Sequence, residues 1–120
     1  ALMDDWEGRY GLLIDLGKEL PPLDDSYKTD EYLVRGCTSR VWLFPNVKDG
    51  RLTFIADSDA HLVRGLISLL SIIYNNKPVS EIESIDVANI FQNLGLAENL
   101  TPNRRNGFFA MVERLKSFAS

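Results

Sequence analysis

The 120-residue sequence predicts an α+β domain, and three observations carry that prediction. Val41 to Ala56 reads as a β-hairpin, the stretch 59–75 keeps a 3.6-residue apolar period, and capped helical patterns open and close the chain. Strands and helices are therefore segregated along the chain, the mark of α+β rather than of alternating α/β folds.

The elements follow in order. Trp6, Tyr10, Leu13, Ile14 and Gly17 recur at helical spacing behind Asp4 and Asp5, and Pro21-Pro22 closes the run, which predicts a first helix over 5–18. After the polar, acidic stretch 23–31, Tyr32-Leu33-Val34 reads as a short strand interrupted at Gly36 and Cys37, which places Cys37 in a turn. Val41-Trp42-Leu43-Phe44 is β-rich, 45–50 holds turn residues, and Leu52, Phe54 and Ala56 alternate with Thr53, Ile55 and Asp57. Asp57 or Ser58 is expected to cap the long helix, whose face is Leu62, Val63, Leu66, Ile67, Leu70, Ile73 and Tyr74, and which Asn75, Asn76 and Pro78 stop. Ser80 with Glu83 predicts a capping box. Val87, Ile90, Phe91 and Leu94 predict a short helix ended by Gly95, and Thr101-Pro102 starts the last helix, with Phe108, Met111, Val112 and Leu115 buried. Trp42 and Met111 are expected in the core.

Length predicts one domain over 1–120, large enough to bury roughly two-thirds of its unfolded surface. With 45% hydrophobic and 25% charged residues, global disorder, collagen and coiled coil are disfavoured. The net charge of −4 argues against nucleic acid or an anionic membrane surface as partner and leaves a protein. The apolar stretch 66–74 is far short of a membrane span. The start lacks a signal-peptide pattern, and a lone cysteine suits a reducing compartment: cytoplasm, or an organellar matrix if a targeting segment was removed.

Charge is blocked along the sequence: residues 1–31 carry −6, 32–79 carry +3, 80–100 carry −4 and 101–120 carry +3. The single cysteine, Cys37, lies in the first positive block between Arg35 and Arg40, and nearby cations favour thiolate over thiol. One cysteine permits no internal disulfide and no multi-cysteine metal site. Metal binding by Cys37, His61, Asp57 and Asp59 has no specific ligand spacing, and those carboxylates read better as helix caps. Three readings of Cys37 remain. It is the nucleophile of a hydrolase with His61, the only histidine, as base; it is a small buried hydrophobe in a pure binding module; or it is a sulfur carrier, which needs no base triad and no resolving second cysteine. Gly36 supplies a hinge for a carrier loop.

Arg35-Gly36-Cys37-Thr38-Ser39-Arg40-Val41-Trp42-Leu43 resembles the signature of the SufE family of sulfur acceptors. Three further blocks agree in order. They are Trp6-Glu7 with Tyr10 and Leu16-Gly17 through Leu20-Pro21; Ala56-Asp57-Ser58-Asp59-Ala60 leading to Val63-Arg64-Gly65-Leu66; and Leu100-Thr101-Pro102 with Arg104, Gly107, Ala110 and Met111. The resemblance implies a small three-stranded antiparallel sheet with helices on one face, similar to the U-type iron–sulfur scaffolds. The scaffold role itself needs several cysteines. It implies that Cys37 takes persulfide sulfur from a pyridoxal-phosphate cysteine desulfurase of the SufS or CsdA kind and stimulates that enzyme. The sulfur then passes to a cluster-assembly complex or another thiol acceptor. On this reading the chain is an accessory protein with no cofactor of its own, the pyridoxal phosphate being the partner's. Gly36, Ser39, Asp57, Ser58 and Asp59 would shape and support the cysteine loop, and Arg35, Arg40, Arg64 and Arg104 would dock the partner.

Overall fold

The computed structural model describes residues 2–34 and 39–119, with side chains from residue 8 onward. Its centre is a hairpin of β1 (Val41–Lys48) and β2 (Arg51–Ser58), joined by Asp49 and Gly50 with φ of 54° and 74°. Two successive left-handed residues make the tight turn whose twist matches paired strands, and Asp-Gly is a preferred pair for it. Lys48 faces Arg51 and Val41 faces Ser58.

β1 thus runs through 45–48, where the sequence pattern expects a turn. Pro45 is tolerated because Val41 and Leu43, of the same parity, direct backbone groups away from β2 to 32–34, so the missing N–H falls on the outer edge. The expected strand 32–34 is reduced to one bridge, Leu33 to Trp42, bracketed by Val34 N–H donating to Val41 O and Leu43 N–H donating to Tyr32 O, both 2.8 Å.

The third strand is β3 (Lys77–Pro78), giving an antiparallel sheet in the order β1-β2-β3. Two residues carry no periodicity, so this strand is invisible to pattern reading. The Asn75 side chain extends the pairing: its Oδ1 accepts from Phe54 N–H at 3.2 Å and its Nδ2 donates to Phe54 O at 3.1 Å.

Val41, Leu43, Pro45, Leu52, Phe54 and Ala56 form the buried face of the hairpin, which α2 (His61–Tyr74) and α6 (Pro102–Ala119) cover. On the opposite face Phe44 stacks with Tyr27 and Tyr32 at ring separations of 4.9 and 5.1 Å. The Lys28 ammonium stands 5.6 Å over Trp42 there, so Trp42 is half-buried on the outer face rather than in the core; Met111 is a core residue.

α1 (Leu2–Glu19) packs along α2 and exceeds the expected 5–18 at both ends. Their approach is close enough to exclude side chains: a Cβ on Gly17 would lie 2.7 Å from His61 O, and one on Gly65 would run into the Leu13 carbonyl. α2 is shorter than 59–75 and its N-cap is Ala60 with no side-chain cap, so neither Asp57 nor Ser58 caps it. Both are engaged elsewhere. α3 (Val79–Ile82) begins directly after Pro78, which leaves Ser80 inside the helix and removes the expected capping box. α4 (Val87–Asn93) is followed by Gly95, as the pattern indicates, while its cap, Asp86, and the single-turn α5 (Leu96–Asn99) are not anticipated. Thr101 Oγ1 accepts from Arg104 N–H at 3.3 Å at the start of α6.

Two stability outcomes follow from this packing. Gly65→Ala forces α1 off α2 and should cost about 3 kcal/mol in urea unfolding, against a few tenths for an exposed helical Gly→Ala. The Tyr74 hydroxyl is fully buried with no hydrogen-bond partner among the described residues. Burial, then the carboxylates of Glu83 and Glu113, push its pKa up to about 12 from 10.0. A pKa raised on folding stabilises the native state fully below the unfolded value and loses that contribution as pH rises through the folded one. Stability should therefore fall by about 2–3 kcal/mol between pH 10 and 12. Tyr74→Phe should abolish that alkaline loss while leaving stability at pH 7 unchanged or slightly raised, since it removes an unpaired buried hydroxyl.

Candidate functional site

The two ends of the segment 35–38 are described, while Arg35, Gly36 and Cys37 themselves lie outside the described residues. One end is Val34, buried and bonded to Val41. The other is Ser39-Arg40, held by two elements at once.

The first is the corner between β2 and α2. Asp59 Oδ1 accepts from Arg40 N–H at 3.2 Å, Asp59 N–H donates to Arg40 O at 3.3 Å, and Ser58 Oγ donates to the same carbonyl at 2.7 Å. Ser58 Oγ also accepts from Ala60 N–H at 3.2 Å, which turns the chain into α2. The second is the N-terminus of α6, where Arg104 Nη1 donates to Ser39 Oγ at 2.7 Å. A small apolar pocket lies at this point, walled by Ser39, Val41, Val63, Leu66, Arg104 and Met111 among others.

Behind the corner sits Asp57, only 2% exposed. Its Oδ1 meets Arg64 Nη1 at 2.6 Å and Ser58 N–H at 2.8 Å, and its Oδ2 meets Lys28 Nζ at 3.7 Å and Leu23 N–H at 3.5 Å. A buried carboxylate is tolerated when cations and N–H donors converge on it in this way. Arg64 continues the network: Nε donates to Gly17 O at 3.0 Å and Nη2 to Leu20 O at 2.8 Å, which satisfies carbonyls at the end of α1.

These bonds sort the sequence-predicted residues. Ser39, Asp57, Ser58, Asp59 and Arg104 are brought into one connected neighbourhood, and Arg40 joins it through its backbone while its side chain is exposed. Arg64 is corrected from docking surface to internal strut, because its guanidinium has three intramolecular acceptors. His61 is exposed on the first turn of α2. Sequence reading missed Lys28. Its signal is slight: it is the one basic residue among Asp24, Asp25, Asp30 and Glu31. Among the described residues no group of three or more His, Cys, Asp or Glu is placed to hold a metal ion, and no helix is long and apolar enough to cross a membrane.

Arg64 and Asp57 predict a measurable penalty. Asp57→Asn should lower unfolding free energy by about 3 kcal/mol, because Arg64 and Lys28 would then face a neutral amide, and Arg64→Lys by about 2 kcal/mol, because an ammonium cannot reach three acceptors in different directions. Both substitutions would be nearly neutral if Arg64 served only a partner surface, and chemical denaturation distinguishes the two.

Comparison with known proteins bears on what this neighbourhood serves. Two relatives, an uncharacterized SufE-like protein of Rhizobium meliloti (strain 1021) and another of Rhizobium etli, are each 44% identical over 123 residues. The match spans 99% of this chain and 88% and 83% of theirs. The solution structure of a hypothetical protein from Thermus thermophilus superimposes with a TM-score of 0.76 at 20% identity, over 94% of this chain and 82% of that one, a likeness of fold. The family model for SufE, described as an Fe-S metabolism associated domain, matches residues 1–119. With the whole described fold and both Rhizobium relatives in agreement, the chain belongs to the SufE family.

Proposed function

We propose that this chain is a sulfur acceptor and carrier whose one covalent site is Cys37. The observation that carries the reading is that the only cysteine of the chain falls in a four-residue segment whose two ends are fixed by independent elements: Val34 by β1, and Ser39-Arg40 by the β2–α2 corner and α6. A carrier needs its thiol on a short segment of a rigid body, and nothing more from its own chain. The Cys37 thiolate attacks the outer sulfur of a donor persulfide; a new S–S bond forms, the donor's S–S bond breaks, and the donor cysteine leaves as thiolate. No external oxidant or reductant is required, because the sulfane sulfur is handed over at constant oxidation state.

Family membership in Fe-S metabolism supports a cysteine desulfurase as donor, which the chain would stimulate as an accessory protein rather than as an enzyme in its own right. Pyridoxal phosphate would then belong to the partner, and the sulfur would pass to a cluster-assembly complex or another thiol acceptor. Arg35, Arg40 and Arg104 provide a basic setting for a docking rim of opposite charge, with Arg104 doubly engaged because it also holds Ser39. A free thiol in this role suits a reducing compartment, cytoplasm or organellar matrix.

Intact-mass measurement after incubation with a cysteine desulfurase and free cysteine tests the reading. One added sulfur atom is expected, removed by reductant and absent in Cys37→Ser. His61→Ala should accept sulfur normally; loss of acceptance in that variant would return the chemistry to a Cys37–His61 dyad, and no mass gain with any desulfurase would sink the carrier role.

A further inference from the structure

The edge of β2 that faces away from β1 is occupied at both ends and open between them. β3 covers only Arg51 and Leu52, and the Asn75 side chain takes both backbone groups of Phe54. At the far end Ser58 N–H donates to Asp57 Oδ1 at 2.8 Å. Ala56 lies between. Backbone groups of a strand change sides at each residue, so the N–H and C=O of Ala56 turn to the same edge as those of Phe54. Leu43, opposite Ala56, agrees with this parity, since its N–H donates outward to Tyr32 O. Among the described residues neither backbone group of Ala56 has a partner on that edge. Ala56 is only 5% exposed, and a buried N–H and C=O left open together are rare and costly in folded chains.

The open pair lines a cavity of about 380 Å³ between β2, α2 and the connector after α1, whose apolar walls include Leu20, Leu23, Phe54 and Ile67. Pro21 and Pro22 stand across it and have no N–H to offer the Ala56 carbonyl, so the connector does not serve as a further strand. In an antiparallel ladder one residue exchanges both bonds with the residue opposite and shares its face of the sheet. A residue opposite Ala56 therefore satisfies both groups at once and sends its side chain to the buried face, where the small Ala56 side chain leaves room beside Phe54 and Ile67. Charge narrows the occupant further. Asp24 is the only charged side chain lining the cavity; it is exposed, and the Ser26 N–H on its carboxylate lowers its pKa from 3.8, so it is ionised at neutral pH.

We propose that the Ala56 edge of β2 is a docking slot for an extended peptide segment of a partner protein, which places one aliphatic residue in antiparallel pairing with Ala56 and a basic residue beside Asp24. Main-chain bonds at the sheet edge hold the segment, and the pocket and the carboxylate select its side chains. The slot asks nothing of Cys37, so it stands or falls independently of the sulfur-carrier reading.

Amide NMR of the full chain at low salt tests it, with acetylated and amidated tripeptides that carry alanine, valine, leucine or phenylalanine between two lysines. Saturable shifts centred on the Ala56 amide are expected, with dissociation constants of about 1 mM and slower hydrogen exchange at that amide in the complex. Valine and leucine should bind roughly fivefold more tightly than alanine. Methylating the backbone nitrogen of the central residue removes its N–H and should weaken binding by about tenfold. Asp24→Asn keeps the oxygen that accepts from Ser26 N–H and should weaken the lysine peptides about threefold, while peptides with glutamine for lysine bind both proteins alike. Cys37→Ser should bind as the unaltered chain does. The proposal is overturned if none of the peptides moves the Ala56 amide at about 10 mM, if the methylated peptide binds as well as its parent, or if Asp24→Asn leaves the lysine peptides unaffected.

Discussion

The buried carboxylate of Asp57 is the constraint on which the rest of the structure depends. At 2% exposure it must be compensated, and the groups that compensate it come from every side: Arg64 from α2, Lys28 and Leu23 from the connector after α1, and the backbone of Ser58 from its own corner. Arg64 is the second half of the constraint. Its planar fork reaches Asp57 and two carbonyls of the α1 terminus together, which no lysine geometry reproduces. The consequence is positional rather than energetic: an ion pair so buried adds little net stability over an apolar substitute, but it admits one arrangement of α1, the connector and the corner. That corner carries Ser58 and Asp59, whose bonds fix Arg40.

The close approach of α1 and α2 works toward the same end. Gly17 and Gly65 let the helix backbones meet, and only at that distance does the end of α1 fall within reach of Arg64. Packing and polar bonding thus specify one geometry by two independent routes, the kind of agreement between levels that defines a unique native state.

Much of this is legible in the sequence, and the parts that are not share a cause. The hairpin, α2, α4 and α6 announce themselves because each buries one face at a fixed period, and Thr101 caps α6 where its start is expected. β3 and α5 are too short to show a period, and Pro45 reads as a turn residue unless one knows which edge of β1 its nitrogen faces. Asp57 and Asp59 read as caps because an Asp before a helix is locally indistinguishable from one that holds a distant segment. The bond from Arg40 N–H to Asp59 spans 19 residues of sequence and is tertiary information. Arg64 reads as surface for the same reason. Position on a helix shows where an arginine starts, while its long reach toward Gly17 and Leu20 depends on where α1 lies. Cys37 stands out by a different kind of signal, count and neighbours, which tertiary structure does not have to supply.

The distribution of hydrogen bonds in the site speaks to the division of chemistry. Arg40 is held by its N–H and carbonyl, Gly17 and Leu20 by their carbonyls, and Leu23 by its N–H. The polar side chains therefore act chiefly on backbone, and the side-chain pairs that do form, Arg64 with Asp57 and Arg104 with Ser39, each join two elements of the frame. A site built for proton transfer aligns side chains with one another, nucleophile to base and base to orienting group. A site built to present a nucleophile to another protein needs its main chain held in place, and exchange at sulfur asks for no more, since the attacking and leaving groups are both thiolates and the barrier is governed by access and thiolate fraction. At the two ends of the segment 35–38 the described bonds hold main chain, as the proposed carrier role requires.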